Sequence, residues 1–130
     1  MADTAESPFI LVVEDDPLLS DLIARKFSDE KIEMEYAPTG EIALELLGKE
    51  RKPDLVLLDI RLPGIDGFEV LRHIRSDPAT KGVRVIIFSN FGEDADIAKA
   101  KELGADKFVV KVSLSLDEVV DLVRSAAAGA

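Results

Sequence analysis

The feature that most constrains the fold of this 130-residue chain is a fivefold alternation of short apolar runs with helical patterns. Four runs are mainly apolar, as expected of strands buried on both faces of a sheet: residues 9–13, 55–58, 83–88 and 108–110. Segment 32–36 instead alternates apolar and polar residues, which is typical of a half-exposed edge strand.

Helical patterns fill the intervals between these runs. Apolar residues recur at the spacing of one helix face in five segments: Leu19, Leu22, Ile23 and Phe27; Ala43, Leu46 and Leu47; Phe68, Leu71 and Ile74; Ile97, Ala100 and Leu103; Leu116, Val119, Val120 and Val123. Asp16 and Asp66 stand where a helix N-cap is expected, and Ser115 and Glu118 have the spacing of a capping box. Gly104 has the position of a helix stop.

Five strands alternating with five helices predict a parallel sheet built from βαβ units. Right-handed crossovers place helices on both faces of such a sheet. Because the second strand alone has an edge pattern, we predict an α/β fold of the flavodoxin-like type, a doubly wound five-stranded parallel sheet with strand order 2-1-3-4-5. We expect one domain over residues 1–130, with a flexible N-terminal arm at 1–8 and a core at 9–126.

Composition excludes several classes of site. The chain has no cysteine and one histidine, so disulfides, thiolate metal sites and sites that need two histidines are excluded. Its 16 Lys and Arg against 26 Asp and Glu give a net charge of −10, so we expect no direct binding to nucleic acid or to an anionic membrane. The pattern shows neither a signal peptide nor an apolar stretch of about 20 residues, which favours the cytoplasm.

Polar residues stand where the predicted strands end. The first strand is followed by Glu14, Asp15 and Asp16, the third by Asp59, the fourth by Ser89 and Asn90, and the fifth by Lys111. Ligands of open α/β sheets bind beyond these carboxyl ends, and in the order 2-1-3-4-5 the four strands are neighbours. We therefore expect these side chains to share one cleft.

The cleft would contain carboxylates, one hydroxyl and one ammonium group. Crowded carboxylates need a cation to coexist, and oxygen ligands without His or Cys select Mg²⁺, Mn²⁺ or Ca²⁺ over zinc. A carboxylate can also attack phosphorus, provided that metal, ammonium and hydroxyl groups neutralise the transferred oxygens. Taken singly, each residue has an ordinary structural interpretation as a cap, a turn residue or a surface group. Their joint placement favours phosphoryl transfer to an aspartate.

Four segments resemble the receiver domain of two-component response regulators, over roughly residues 8–126. They are ILVVEDDP at 10–17, DLVLLDIRLPGIDG at 54–67, VIIFS at 85–89 and LGADKFVVK at 103–111. Together they cover several strands and the loops that follow them, so the resemblance is specific. It implies a stand-alone, single-domain receiver that acts by protein contact, or a piece cut from a longer chain.

The resemblance also implies a role for particular residues. Asp59 would accept the phosphoryl group from a phosphohistidine. Asp15 would bind Mg²⁺ directly and Glu14 mainly through water, and the metal site would be completed by Asp59 and the backbone carbonyl of Arg61. Lys111 would pair with a phosphate oxygen.

Two further residues would form the switch. The resemblance implies that Ser89 hydrogen-bonds the phosphate and changes rotamer, and that Phe108 is the switch aromatic. The surface of the fourth helix, fifth strand and fifth helix would then change shape. The implied partners are a sensor histidine kinase or a histidine phosphotransfer protein, and a downstream protein target or a second copy of the chain in a phosphorylation-dependent homodimer.

Three positions depart from the family pattern. Asn90 replaces the usual Ala or Gly after the switch hydroxyl, and Arg61 adds a long cation beside the site. Val112 follows Lys111 where the family has proline, usually after a cis peptide bond. Since a cis bond before a non-proline residue costs about 2.5–4 kcal/mol, we expect either retained strain or a rebuilt loop.

The favoured prediction is a signalling receiver, which is not an ordinary enzyme and catalyses only its own phosphorylation and dephosphorylation. Two other functions are alternatives to it. An Mg²⁺-dependent phosphohydrolase of the haloacid-dehalogenase type would carry a second Asp two residues after the nucleophile, where this chain has Arg61. A degenerate receiver would no longer cycle phosphate, a reading that Asn90 and Val112 keep open. A histidine phosphotransfer role for His73 conflicts with five predicted strands, so we interpret His73 as a surface residue.

Overall fold

The computed structural model describes residues 8–90 and 92–128. Within them, one parallel sheet contains β1 (Phe9–Val13), β2 (Glu33–Ala37), β3 (Leu55–Leu58), β4 (Arg84–Ser89) and β5 (Lys107–Val110), in the order β2-β1-β3-β4-β5. The helices are α1 (Pro17–Asp29), α2 (Gly40–Leu47), α3 (Gly67–Ser76), α4 (Asp94–Glu102) and α5 (Leu116–Ala128), and a short 3₁₀ turn covers Lys111–Ser113. The predicted fold class and strand order are confirmed.

The register brings the carboxyl ends of the central strands to one edge of the sheet. Val13 at the end of β1 pairs with Ala37 on one side and with Leu58 on the other. Ser89 at the end of β4 pairs with Val110 at the end of β5. The residues that follow these ends therefore face a common space, as the sequence predicts.

Two apolar layers hold the helices on the two faces of the sheet. Strand side chains alternate between the layers, as expected of a pleated sheet that is covered on both sides. The layer under α2, α3 and α4 includes Leu11, Val13, Val56, Leu58, Phe68, Leu71, Val85 and Ile87. The layer under α1 and α5 includes Ile10, Val12, Ile23, Phe27, Leu55, Leu57, Ile86, Val120 and Val123.

The caps predicted from local sequence are present. The Asp16 carboxylate accepts hydrogen bonds from the backbone N–H groups of Leu18 and Leu19, at 3.0 and 3.3 Å. Asp66 caps α3 by accepting from the backbone N–H of Glu69, at 3.0 Å. In the capping box of α5, the Ser115 N–H donates to the Glu118 carboxylate at 2.9 Å, and the Glu118 N–H donates to the Ser115 hydroxyl at 3.2 Å.

Some predicted details differ from the structure. β2, β4 and β5 are each displaced from the predicted segments by one residue at one end or both. Leu22 of α1 and Ile97 of α4 were predicted to face the core, yet they are 42% and 38% exposed. In α1 the buried face is narrower than the apolar stripe: Ile23 and Phe27 lie in the apolar layer, and Leu19 is partly buried against it.

The chain termini are described in part. Residues 1–7 of the predicted arm and residues 129–130 lie outside the described residues. The carbonyl of Pro8 accepts a hydrogen bond from the backbone N–H of Glu33 at 2.9 Å, which joins Pro8 to the edge of the sheet. Among the described residues, every helix is too short or too polar to cross a membrane.

Candidate functional site

The first part of the site follows β1. Glu14 is buried, 2% exposed, and its backbone N–H extends the pairing with β2 by donating to the Ala37 carbonyl at 3.0 Å. The Glu14 carboxylate then turns back to accept from the backbone N–H of Asp16 at 3.0 Å. Asp15 is exposed, while the Asp16 carboxylate is committed to the helix cap, as predicted. Adjacent acidic residues thus have different environments.

Asp59 is fixed by the backbone around it. Its N–H donates to the Val13 carbonyl at 3.0 Å, and its side chain is buried beyond the end of β3. Gly67 at the start of α3 lies against the same backbone: a Cβ at this position would be 2.1 Å from the Asp59 carbonyl oxygen. The backbone N–H of Arg61 approaches the Asp59 carboxylate at 3.4 Å. Because Gly67 allows α3 to pack so closely, it is part of the site, although the sequence analysis did not single it out.

Lys111 joins the two buried carboxylates. It is 8% exposed, and its ammonium donates to the Asp59 Oδ2 atom at 3.0 Å. The same ammonium forms an ion pair with the Glu14 Oε1 atom. These three side chains come from the ends of three different strands, so the predicted convergence of Glu14, Asp59 and Lys111 is realised in the structure.

Electrostatics in this group are dominated by burial and by pairing. Burial raises the pKa of the Glu14 carboxyl above its ordinary value of 4.5, although Lys111 and the Asp16 N–H partly oppose that shift. For Lys111, burial acts to lower the pKa, but the hydrogen bond to Glu14 and the charge of Asp59 outweigh it and the pKa is raised. The ammonium therefore stays charged at neutral pH.

The carboxylates are also arranged to hold a cation. Glu14, Asp15 and Asp59 each offer one oxygen, and these three oxygens lie within 4.8 Å of one another. With Lys111 as the adjacent cation, three carboxylates leave an excess of negative charge. Oxygen ligands of this kind suit a hard divalent ion such as Mg²⁺. The residues present therefore fit the predicted metal.

The predicted switch residues lie on the neighbouring strands. Ser89, the last residue of β4, is 1% exposed and pairs in register with Val110, directly before Lys111. Asn90, the next residue, is exposed. Phe108 is half-buried in β5 and packs against the apolar layer on the side of α2, α3 and α4. The structure thus places Ser89 at the site edge and Phe108 further along the adjacent strand.

The loop after β5 is rebuilt without the family's cis bond. Every peptide bond in the described residues is trans, including the bond between Lys111 and Val112. A 3₁₀ turn takes up the loop, with the Leu114 N–H donating to the Lys111 carbonyl at 3.2 Å. Lys111 still reaches both carboxylates from this turn, while Val112 is 82% exposed. Of the two expectations for this loop, rebuilding is what the structure shows.

His73 lies on the outside of α3. Its side chain is 54% exposed, and its Nε2 atom lies 3.4 Å from the Glu69 carboxylate. This confirms its interpretation as a surface residue.

A cleft of about 630 Å³ adjoins the site between the β3–α3 loop and α4. Asp15 and Arg61 line it together with two α4 residues that the sequence analysis did not single out, Asp96 and Lys99. The Lys99 ammonium lies 4.6 Å from the centre of the Phe68 ring, also in the cleft wall. Neither residue belongs to a recognisable motif, so the structure was needed to find them.

Comparison with known proteins decides the family. The profile described as "Response regulator receiver domain" matches residues 10–124. This chain belongs to the response regulator receiver family. A receiver domain binds Mg²⁺ in an acidic site and works in a two-component signalling system, and the acidic group found here fits that description.

Relatives of this receiver domain differ in length. Sporulation initiation phosphotransferase F of Bacillus subtilis is 38% identical over 115 residues, which cover 88% of this chain and 90% of the relative. Transcriptional regulatory protein AfsQ1 of Streptomyces coelicolor is 38% identical over 104 residues, which cover 80% of this chain. The aligned part spans 44% of AfsQ1, less than half of that protein.

A solved structure supports the same assignment. The receiver domain superposes on the phosphorylated cyanobacterial phytochrome response regulator RcpA with a TM-score of 0.80 and 29% sequence identity. The match covers 92% of this chain and 91% of the other. The likeness therefore extends over nearly the whole of both chains.

Proposed function

We propose that this receiver domain accepts a phosphoryl group on Asp59 from a phosphohistidine, with Mg²⁺, and thereby switches a surface that binds proteins. The observation that carries the proposal is the buried Asp59 carboxylate, which shares the Lys111 ammonium with Glu14 and lies beside the exposed Asp15. Because a purely structural carboxylate does not need two more acidic side chains next to it, the arrangement is better explained by charge that arrives during function.

The chemistry follows from this arrangement. A carboxylate oxygen of Asp59 attacks phosphorus, a P–O bond forms, and the P–N bond to the donor imidazole breaks with its electron pair passing to the nitrogen. Lys111 already lies 3.0 Å from the Asp59 carboxylate and would pair with an oxygen of the transferred group. Ser89 would donate a hydrogen bond to another phosphate oxygen.

The metal would be held by the same acidic group. Asp15 is the proposed direct ligand, because it is exposed and is not used as a cap, and Asp59 and the Arg61 carbonyl would complete the protein's share. Glu14, which is tied to Lys111 and to the Asp16 N–H, would act mainly through water. Bound Mg²⁺ would neutralise charge on the phosphoryl oxygens.

Intact-mass measurement after incubation with acetyl phosphate and Mg²⁺ tests the acceptor. Wild type should gain one phosphoryl group and Asp59→Asn should gain none. Asp16→Asn is a matched control, since asparagine also caps helices and the change stands next to the site. Phosphorylation of Asp59→Asn at the wild-type level would show that the acceptor is wrongly assigned.

Exposed apolar side chains near the site suggest where a phosphohistidine donor docks. Leu18 and Leu22 lie one turn apart on α1 and are 68% and 42% exposed, and Val112 follows Lys111. A sensor histidine kinase or a histidine phosphotransfer protein would cover these side chains while presenting its phosphoimidazole to Asp59. Leu18→Ser should slow transfer from a purified phosphotransfer protein about tenfold, and leave the rate with acetyl phosphate unchanged. Equal slowing with both donors would contradict this docking site.

The output would come from protein contact, in the cytoplasm where such kinases deliver phosphoryl groups. When Ser89 moves toward the phosphate, space opens above β5, and Phe108 can turn inward to gain apolar burial. The α4–β5–α5 surface would then bind a downstream protein or a second copy of the chain. Amide chemical shifts with and without beryllofluoride test this switch. Changes confined to the loops of Asp15, Asp59 and Ser89 would leave Phe108 as a fixed core residue.

The geometry of the site does not favour the alternative function, an aspartyl phosphohydrolase. The position two residues after Asp59 is Arg61, an exposed cation without acid or base function at neutral pH. Receiver domains are signalling domains rather than ordinary enzymes. Self-catalysed phosphorylation and dephosphorylation are the activities that we propose for this chain.

A further inference from the structure

The two ends of α4 are attached to the rest of the molecule very differently. We propose that α4 is a lever whose C-terminal end is pinned by Arg75 of α3, so that phosphorylation moves its N-terminal half about that point. The trigger rests on the proposed function, whereas the unequal attachment can be measured without it.

The pin is a set of hydrogen bonds made by one guanidinium group. The Arg75 Nε atom donates to the Gly104 carbonyl at 2.9 Å, directly after α4. Its Nη1 atom donates to the carbonyls of Lys81 and Val83 at 3.0 and 2.6 Å, in the loop that leads to β4. Its Nη2 atom donates to the Asp106 carboxylate at 3.1 Å. Four acceptors from two separate segments are thereby held by a single side chain.

The neighbouring backbone makes this pin rigid. Asp106 also accepts from the backbone N–H of Val85 at 2.7 Å, and its own N–H donates to the Val85 carbonyl at 2.8 Å, so it is tied to β4. Gly104 has φ +97°, and a Cβ there would lie 3.1 Å from the Arg75 Nε atom. The planar five-donor fork of arginine suits this geometry, which a lysine does not reproduce.

The N-terminal half of α4 is held much less firmly. Its cap residue, Glu93, makes no side-chain capping bond among the described residues. The Asp96 Oδ2 atom is buried but has no hydrogen-bond partner among them. Ile97 is 38% exposed, and Ala100 is the one buried residue of the helix. A helix that buries so little apolar surface and lacks a cap has a low free energy of local opening at that end.

The loosely held end is also the one next to the phosphorylation site. Ser89 ends β4 a few residues before α4 begins, whereas Gly104 and Asp106 lead into β5. A movement of Ser89 therefore reaches α4 at its loose end and is resisted at the pinned end. The result is a rotation of α4 rather than a translation. It alters the surface around Asp96 and Lys99 while the start of β5 stays in place.

Hydrogen exchange of the full chain distinguishes the two ends. The informative amides are those of residues 97–99, which bond within the first turns of α4, and 103–106, whose N–H groups all donate to backbone carbonyls. In the untreated protein, amides 97–99 should exchange at least tenfold faster than amides 103–106. Beryllofluoride with Mg²⁺ should change exchange at 97–99 severalfold and at 103–106 less than twofold.

Substitution of Arg75 tests the pin itself. Arg75→Met should speed exchange at 103–106 about tenfold in the untreated protein and spread the beryllofluoride response into them. Arg72→Met is the matched control, because Arg72 lies on the same helix but pairs with Glu69 at the surface. Arg75→Lys retains the positive charge but not the forked set of donors. Exchange at 103–106 should therefore be as fast in Arg75→Lys as in Arg75→Met.

Equal exchange at the two ends of α4, or an Arg75→Met variant indistinguishable from Arg72→Met, would overturn the lever. A response to beryllofluoride as large at 103–106 as at 97–99 would also overturn it. Failure of the proposed function has a different signature: no mass gain with acetyl phosphate and no beryllofluoride response at any amide. The untreated exchange rates of the two ends still decide the attachment in that case.

Discussion

Charged side chains cluster both at the amino edge of the sheet, where the strands begin, and at the carboxyl edge, where the strands end. The surroundings of the two clusters differ. At the amino edge, Arg51 and Glu33 form a two-bonded pair at 2.8 and 3.0 Å, with both side chains more than half exposed. At the carboxyl edge, Lys111 pairs with Glu14 and Asp59, and all three are nearly inaccessible to water. Water screens the attraction between Arg51 and Glu33 and would solvate either charge if the other were removed. The buried charges of Lys111, Glu14 and Asp59 have little water around them, so they must neutralise one another.

The opposite pKa shifts of two glutamates express this difference. The hydrogen bond from Arg51 lowers the pKa of Glu33, so the fold favours its charged form. Burial raises the pKa of Glu14, so the fold is opposed to its charge. A buried carboxyl group whose charge the fold opposes indicates a site shaped by function, while the exposed pair fits an ordinary surface role.

Removal of Lys111 should have the largest effect on stability. Lys111→Met leaves two buried carboxylates without their cation, and we expect a loss of about 3–5 kcal/mol in the free energy of unfolding, measured by urea denaturation without metal. Arg51→Met, the equivalent change at the amino edge, should cost far less because Glu33 is exposed. Similar losses in the two variants would remove the distinction between the edges.

Mg²⁺ should stabilise the carboxyl edge alone. At about 100 times its dissociation constant, the ion should add roughly 2.7 kcal/mol to the stability of wild type through binding linkage. Asp15→Asn should keep the stability of the metal-free protein, since Asp15 is exposed, but lose most of the added stability. Thermal unfolding with and without Mg²⁺ measures both quantities. An undiminished Mg²⁺ effect in Asp15→Asn would show that the ligand set is wrong.

Glu14→Gln should increase the free energy of unfolding, whereas most substitutions of buried residues decrease it. Glutamine can still accept from the Asp16 N–H, and Lys111 keeps Asp59 as its partner. Because the folded state raises the pKa of Glu14 above 4.5, its contribution to stability is present in acid and is lost as pH rises through the folded pKa. The metal-free variant should therefore be more stable than wild type near neutral pH, and it should bind Mg²⁺ more weakly. A variant less stable than wild type at every pH would contradict this account.

The smallest effect is expected at the amino edge, with the opposite dependence on pH. The folded state lowers the pKa of Glu33 below 4.5, so its contribution is present above that value and is lost as pH falls through the lowered pKa. Glu33→Gln should be slightly less stable than wild type at neutral pH and equal to it in strong acid. Chemical denaturation at a series of pH values measures the difference, which should shrink in high salt. A difference in stability between Glu33→Gln and wild type that grows as the pH falls would contradict this prediction.

What the sequence predicts well depends on how local the cause is. Asp16, Asp66 and the Ser115–Glu118 box act within a few residues of their own position, and the structure confirms all of them. The strand order was also predicted correctly, because the alternating pattern of segment 32–36 marks an edge strand. The expectation that the run at 108–110 is buried on both faces was wrong, since β5 forms the other edge of the sheet and is only half-buried.

Other features depend on which elements meet in three dimensions. The exposure of Leu22 and Ile97 is set by how each helix sits on the sheet, which helical periodicity does not specify. The Arg75 pin joins groups up to 31 residues apart, and no motif marks it. The loop after Lys111 was predicted only in part. The absence of proline left two possibilities, a strained cis bond or a rebuilt loop, and the local sequence did not decide between them.

The close contact between Gly67 and Asp59 has a consequence for laboratory evolution of this domain. The backbone of Asp59 and Ile60 occupies the space where a side chain at position 67 would begin, so we expect almost every substitution of Gly67 to disrupt the site. Asn90 and Val112, by contrast, are exposed residues that directly follow Ser89 and Lys111. A library that randomises those two positions and leaves Gly67 constant should yield folded variants that differ in the lifetime of the aspartyl phosphate proposed for Asp59.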